Sequence, residues 1–236
     1  MADRNLLVFG ARNLGRELCE RLAAAGWGTA AVARSEETIA RLPSETVGIV
    51  ADAANGGEAE RVFAEARERL GPLDLVVNAI TARPRNGFGG GPIAESSAAA
   101  IEPYFQELVP AIFNVVRLGC RALLEHGAGT LVQLTGGSSR RGMPKRGPWT
   151  MGAFATRGLV QSAAAEMRGQ GVHVALLIVD ATIESEKTAA DLEGKPREAS
   201  ASQAEIVRAI DYLAGQSPRG WTHELQLTPS GETWVP

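Results

Sequence analysis

The sequence predicts an α/β protein built on a parallel sheet. Three observations carry that prediction. Short apolar runs alternate with amphipathic segments almost from end to end, the pattern of stacked βαβ units. The first strand runs straight into a glycine-bearing loop and then a helix. Finally, the 236 residues are 44% hydrophobic and 22% charged, enough to bury one large core.

The elements run in order along the chain. Leu6-Leu7-Val8-Phe9 reads as a buried strand, and Leu14 to Ala25 as the first helix. In that helix Leu14, Leu18, Leu22 and Ala25 recur at helical spacing, while Arg16, Glu17, Glu20 and Arg21 turn outward. Thr29 to Ala33 is the second strand, Glu36 to Leu42 a short helix closed by Pro43, and Val47 to Val50 the third strand. Glu58 to Leu70 is a helix ended by Gly71-Pro72, and Leu73 to Val77 the fourth strand. A Gly/Pro-rich loop from Thr81 to Pro92 leads to a helical region over Ser97 to Glu125, which Pro103 and Pro110 kink or divide. Leu131 to Leu134, Trp149 to Arg168 and Val172 to Val179 read as strand, helix and strand. Polar Glu184 to Ser202 reads as a lid-like excursion, before a helix over Gln203 to Leu213 and a last strand over His223 to Leu227. No repeat or linker divides the chain, so residues 1–236 are read as one domain.

Composition excludes several classes. A net charge of −3 argues against nucleic acid or an anionic membrane as partner. Two cysteines, Cys19 and Cys120, lie in helical stretches without ligand spacing, which suits a reducing compartment. No long apolar run and no signal-like N-terminus is present, so the expected location is cytoplasmic. His126 near a helix end and His173 at an edge of the sixth strand belong to no pattern, and no Cys/His/Asp spacing suggests a metal. No Gly-x-Ser-x-Gly elbow occurs either.

The loop after the first strand is Gly10-Ala11-Arg12-Asn13-Leu14-Gly15. Glycine lets the backbone approach a pyrophosphate closely, and the helix N-terminus beyond it presents free N–H groups and a positive dipole end. A dinucleotide is therefore the expected ligand, although any tight strand-to-helix turn also favours glycine. Arg34-Ser35 comes after the second strand, where such a fold meets the adenosine ribose. An acidic residue there would accept from the 2′-hydroxyl of NAD; arginine and a hydroxyl suit the 2′-phosphate of NADP. Arg12 would add a second positive group. The alternative is two solvated surface arginines. NADP(H) is thus expected over NAD(H).

Together with motifs further along the chain, these residues resemble the short-chain dehydrogenase/reductase family over essentially the whole length. Leu73-Asp74-Leu75-Val76-Val77-Asn78-Ala79 resembles the family's fourth-strand motif, normally Asn-Asn-Ala-Gly, and Asp52 resembles the acidic residue that touches adenine. Gly158-Leu159, Ala163-Ala164-Ala165-Glu166 and Gly171-Val172-His173-Val174 match the family's central helix and the entry to the sixth strand. The resemblance implies a Rossmann-type, doubly wound sheet of seven parallel strands in the order 3-2-1-4-5-6-7. It also implies NAD(P) held by Gly10, Arg12, Asn13, Leu14, Gly15, Arg34, Ser35, Asp52, Asn78 and Ala79. A homodimer or homotetramer is implied in the same way.

The family's chemistry uses a Tyr-x-x-x-Lys pair with an upstream serine and an asparagine. The spacing puts both side chains on one helix face, and lysine lowers the phenol pKa for proton transfer. The register of Gly158-Leu159 and Glu166 instead places Trp149 at the tyrosine, Ala153 at the lysine and Gly136 at the serine, with Leu108 at the asparagine. Without any alignment, the residues four beyond Tyr104 and Tyr212 are Leu108 and Gln216, so no Tyr-x-x-x-Lys exists. Loss of such acid–base assistance costs roughly 10²–10⁴-fold in rate. The glycine loop also lacks the family's middle glycine, Ile80 replaces the glycine after Asn78-Ala79, and Val179-Asp180 replaces Pro-Gly.

Replacement chemistry is sought in the loop Ser138-Ser139-Arg140-Arg141-Gly142-Met143-Pro144-Lys145-Arg146. Ser138 or Ser139 would anchor a carbonyl, Lys145 would reach the pocket if the loop folds inward, and the four cations would draw an anionic substrate; otherwise the loop is simply a solvated basic segment. Trp149 is either a plug in the space of the tyrosine or a stacking platform. The expected function is an atypical NADP(H)-dependent oxidoreductase acting on a small carbonyl or alcohol. The alternatives are an inactive nucleotide-binding or partner subunit, and a cofactor-free cyclase or isomerase in the same pocket.

Overall fold

The computed structural model describes residues 3–81 and 91–232. The order of elements begins β1 (Asn5–Phe9), α1 (Leu14–Ala24), β2 (Gly28–Ala33), α2 (Glu36–Ile39), β3 (Val47–Val50), α3 (Gly56–Leu70) and β4 (Leu75–Asn78). It continues through α4 (Val109–His126), β5 (Gly129–Gly136), α5 (Gly147–Met167), β6 (Val172–Val179) and β7 (Thr182–Ile183). The last elements are α6 (Ala189–Leu192), β8 (Ser200–Ala201), α7 (Gln203–Ala214) and β9 (Glu224–Leu227).

Seven strands form one sheet in the order β3-β2-β1-β4-β5-β6-β9, and every pairing is parallel. The expected order is therefore observed, β9 being the seventh strand of the sheet. A parallel sheet covered on both faces needs strands that are apolar throughout. β1 meets that need: Leu7 and Phe9 face the cluster with residues of α3, α4 and α5, while Leu6 and Val8 face the one with α1 and α7. All four side chains are completely buried. Each such burial is worth about 1.5–3 kcal/mol.

Local chemistry sets several boundaries. The Asn55 side chain accepts from the N–H groups of Gly57 and Glu58, so α3 starts at Gly56, two residues before the expected Glu58. Gly71, at φ 98°, ends the same helix. The region after the loop is divided, as its prolines foretell: a 3₁₀ turn at Ala98–Ile101, a π-helical turn at Pro103–Leu108 that begins on Pro103, then α4 with Pro110 in its first turn. Most of the Thr81–Pro92 loop lies outside the described residues. The 184–202 excursion contains α6 and three-residue 3₁₀ turns, and its end pairs β8 with β7 in a small second sheet. Among the described residues, no helix is long and apolar enough to cross a membrane.

Candidate cofactor and substrate cleft

From β1 the chain runs outward to β2 and β3, then crosses back over α3 to place β4 on the other side of β1. A crevice opens at the carboxyl ends of strands where the order reverses in this way. A cleft of about 1440 Å³ lies there, walled by the loop after β1, the ends of β2, β4, β5 and β6, and the start of α5.

At one end of the cleft the backbone is packed tightly enough to demand glycine. Gly10 has φ 96°, and a Cβ on it would stand 2.8 Å from the carbonyl carbon and oxygen of Ala79. A Cβ on Gly15 would stand 2.6 Å from the Gly10 oxygen, so the first turn of α1 sits directly on the loop. The N–H groups of Gly10 and Ala11 both donate to Val32 O, which ties the loop to β2. Asn13 precedes α1 without a side-chain cap, leaving the helix N-terminus for another acceptor. Arg12, Asn13 and Leu14 line the cleft, and Gly15 supports it from behind.

Further along, Arg34 and Ser35 leave the end of β2. Arg34 pairs with Glu107 at 3.6 Å, and both side chains are largely exposed. Ser35 caps α2 by accepting from Thr38 N–H. The Asp52 carboxylate accepts from Ala54 N–H at 3.0 Å, which holds it at the rim. Asn78 is fully buried: its Nδ2 donates to Gln133 Oε1 at 2.9 Å and its Oδ1 accepts from Ile80 N–H at 3.1 Å. Asn78 therefore braces the backbone beneath the cleft, whereas Ala79 and Ile80 form its wall.

The four positions that the sequence register matches to the family's catalytic side chains, Leu108, Gly136, Trp149 and Ala153, all line the cleft. Trp149 packs edge-on against Tyr104, with ring centroids 5.8 Å apart and planes at 70°. Ser138 also lines the cleft, its hydroxyl directed to Met143 Sδ at 3.7 Å. Ser139 and Lys145 do not line it. Ser139 is completely buried and donates to Gly136 O at 2.9 Å. Lys145 takes φ 63° and is exposed, so the loop does not fold its ammonium inward. Acidic groups hold cations of this loop: Arg140 lies 4.0 Å from Glu224 and Arg141 lies 3.5 Å from Asp180.

Sequence reasoning assigns no individual role to three further residues that line the cleft. Asp180 comes directly after β6 and lies nearly buried on the cleft wall. Burial pushes its carboxyl above the usual range, partly opposed by Arg141. Arg141 is its ion-pair partner, and Tyr104 belongs to the π-helical turn before α4. Two sequence signals mark them: the replacement of Pro-Gly by Val179-Asp180, and the place of Arg141 among the four cations of the loop.

A family model described as short chain dehydrogenase matches residues 4–193. The acetoacetyl-CoA reductase of Allochromatium vinosum is 25% identical over 232 residues, covering 91% of this chain and 92% of that protein. A short-chain type dehydrogenase/reductase from Mycobacterium ulcerans superposes with a TM-score of 0.86 at 19% identity, over 97% of this chain and 90% of its own. A gluconate 5-dehydrogenase from Burkholderia cenocepacia, solved with NADP and tartrate, gives a TM-score of 0.84 at 20% identity over 100% and 97%. With its reversed strand order, its glycine-floored cleft and a family match over most of its length, the chain belongs to the short-chain dehydrogenase family.

Proposed function

We propose that the protein is an NADP(H)-binding oxidoreductase of the short-chain dehydrogenase type, acting on a small carbonyl or alcohol with a rebuilt proton-transfer site. The observation that carries this reading is the cradle at Gly10: a backbone that excludes any Cβ, beside a helix N-terminus with no side-chain cap. Those groups suit a pyrophosphate. Arg12, Asn13 and Leu14 would meet it, Arg34 and Ser35 the 2′-phosphate, and Asp52 the adenine edge. Asn78 and Ala79 would support the middle of the cofactor. When bound, the nicotinamide supplies or accepts a hydride. The relative solved with NADP supports the same choice of cofactor.

At the family's catalytic positions this chain carries Leu108, Gly136, Trp149 and Ala153, none of which ionises. That feature favours a second reading, a nucleotide-binding subunit without turnover. Apolar side chains exposed on α4 and α5, Phe113, Met151 and Phe154, support a homodimer or homotetramer in either case.

The experiment is titration of NADPH and NADH into the wild-type chain and Arg34→Ala. Loss of one charge-assisted contact weakens binding roughly tenfold. NADPH affinity should fall by that factor and NADH affinity should stay unchanged. Equal affinity for both in the wild type would refute the preference, and absence of binding would refute the reading. NADPH oxidation across a panel of ketones and enones separates the enzyme from the silent subunit.

A further inference from the structure

The hydroxyl groups around the far end of the cleft are largely committed. Thr156 donates to Gly152 O at 2.9 Å, Ser138 to Met143 Sδ, and Thr188 to Ile183 O at 2.6 Å. Tyr104 differs. It is 1% exposed, lines the cleft, and its hydroxyl is buried with no hydrogen-bond partner among the described residues. A buried phenol usually finds a partner, and leaving one unmade costs about 1–3 kcal/mol.

The surroundings say what partner would suit. The Tyr104 ring packs against Gly152 of α5, where a Cβ would come 3.5 Å from Tyr104 Cβ, and it stands edge-on to Trp149. Leu108, Ile112, Leu134 and Ala153 complete an apolar wall. A wall of this kind takes the flat, apolar part of a ligand, oriented by a neighbouring polar group.

We propose that the Tyr104 hydroxyl donates to the carbonyl oxygen of a planar, conjugated ketone seated against Trp149. This rests on reading the protein as acting on carbonyl compounds, and it names the substrate class. Burial raises the phenol above its ordinary pKa, so at neutral pH it remains a donor. Tyr104 belongs to the turn that leads into α4 and packs on α5, the helix that carries Trp149 and Ala153.

The test pairs two ligands with two proteins. Ligand-observed NMR titrations would measure 1-indanone and indane, which differ by the carbonyl, against wild type and Tyr104→Phe. One hydrogen bond is worth about fivefold to tenfold in affinity. Wild type should prefer 1-indanone by that factor, and Tyr104→Phe should lose the preference while binding indane as before. Because the hydroxyl has no partner in the ligand-free chain, Tyr104→Phe should also leave the ligand-free Tm unchanged or raised. A preference that survives in Tyr104→Phe overturns the proposal. So does a ligand-free Tm lowered by several degrees, or failure of 1-indanone to bind wild type. NADPH titration of both proteins keeps the two claims apart: intact NADPH binding with an unchanged ketone preference sinks the Tyr104 role alone.

Discussion

Arg141 and Asp180 meet across the gap between the loop after β5 and the end of β6, with Nη2 3.5 Å from Oδ2. Gly137 makes the meeting possible, since a Cβ there would lie 1.8 Å from Asp180 Oδ1. Gln226 Nε2, from β9, also donates to Oδ2 at 3.3 Å. Three neighbouring strands of the sheet thus converge on one carboxyl group at the cleft wall.

The pair has a pH signature. Burial raises the Asp180 carboxyl more than Arg141 lowers it. Between the ordinary carboxylate value near 3.9 and the raised folded value, the folded chain holds more protons than the unfolded one. Its contribution to stability is therefore present at low pH and declines as pH rises through that window. Asp180→Asn removes the dependence. Thermal unfolding of both proteins between about pH 3.5 and 6.5 should show wild type losing ground to the variant as pH rises. For a chain of this size 1 kcal/mol moves the Tm by about 2–4 °C, which is readily resolved. A wild type that gains ground instead would mean that Arg141 outweighs burial.

Gly10 makes a second expectation quantitative. Gly10→Ala must hold a side chain at φ 96° and force it against the Ala79 carbonyl at 2.8 Å. Gly26 has φ 87° with nothing within 4 Å, so Gly26→Ala meets only the conformational cost. That cost is about 1–2 kcal/mol. Gly10→Ala should exceed Gly26→Ala by a further roughly 1–2 kcal/mol, and it alone should weaken NADPH binding. Equal losses in Tm would show that the loop after β1 can yield.

These residues also show what could be read from the chain directly. The first strand, the glycine loop and Arg34 are neighbours in sequence, and their chemistry comes from local pattern: an apolar run, a tight turn and a helix start. The prolines at 103 and 110 likewise announce a divided helix before the structure shows it. Asp180 is different, because its role depends on Gly137, Arg141 and Gln226, which approach only once β5, β6 and β9 lie side by side. Tyr104 is read from sequence only as a tyrosine without a lysine four residues on. Its buried hydroxyl depends on the π-helical turn that sets it against Trp149. Lys145 illustrates the converse, since only the left-handed backbone at φ 63° and its exposure separate an inward ammonium from a solvated one.

A third expectation concerns the end of the sheet away from the cleft. His173 is buried at the start of β6, stacked on Trp221 with centroids 5.1 Å apart and edge-on to His223 at 5.8 Å. Its Nε2 lies 3.0 Å from Thr222 O. Desolvation holds its pKa below the usual 6.5, against the raising effect of the Thr222 carbonyl, and His223 adds to the depression. The unfolded chain therefore takes up a proton near pH 6.5 that the folded chain refuses until lower pH. Stability from this group is present above about pH 6.5 and is lost as pH falls toward the depressed folded value. His173→Gln retains a donor for Thr222 O and removes the titration. The Tm difference between wild type and His173→Gln should be constant above pH 7 and should shift against wild type as pH falls from 6.5 to 5. A difference that moves in wild type's favour on acidification would instead place the histidine's folded pKa above its unfolded one, with the Thr222 carbonyl stronger than the burial of the ring.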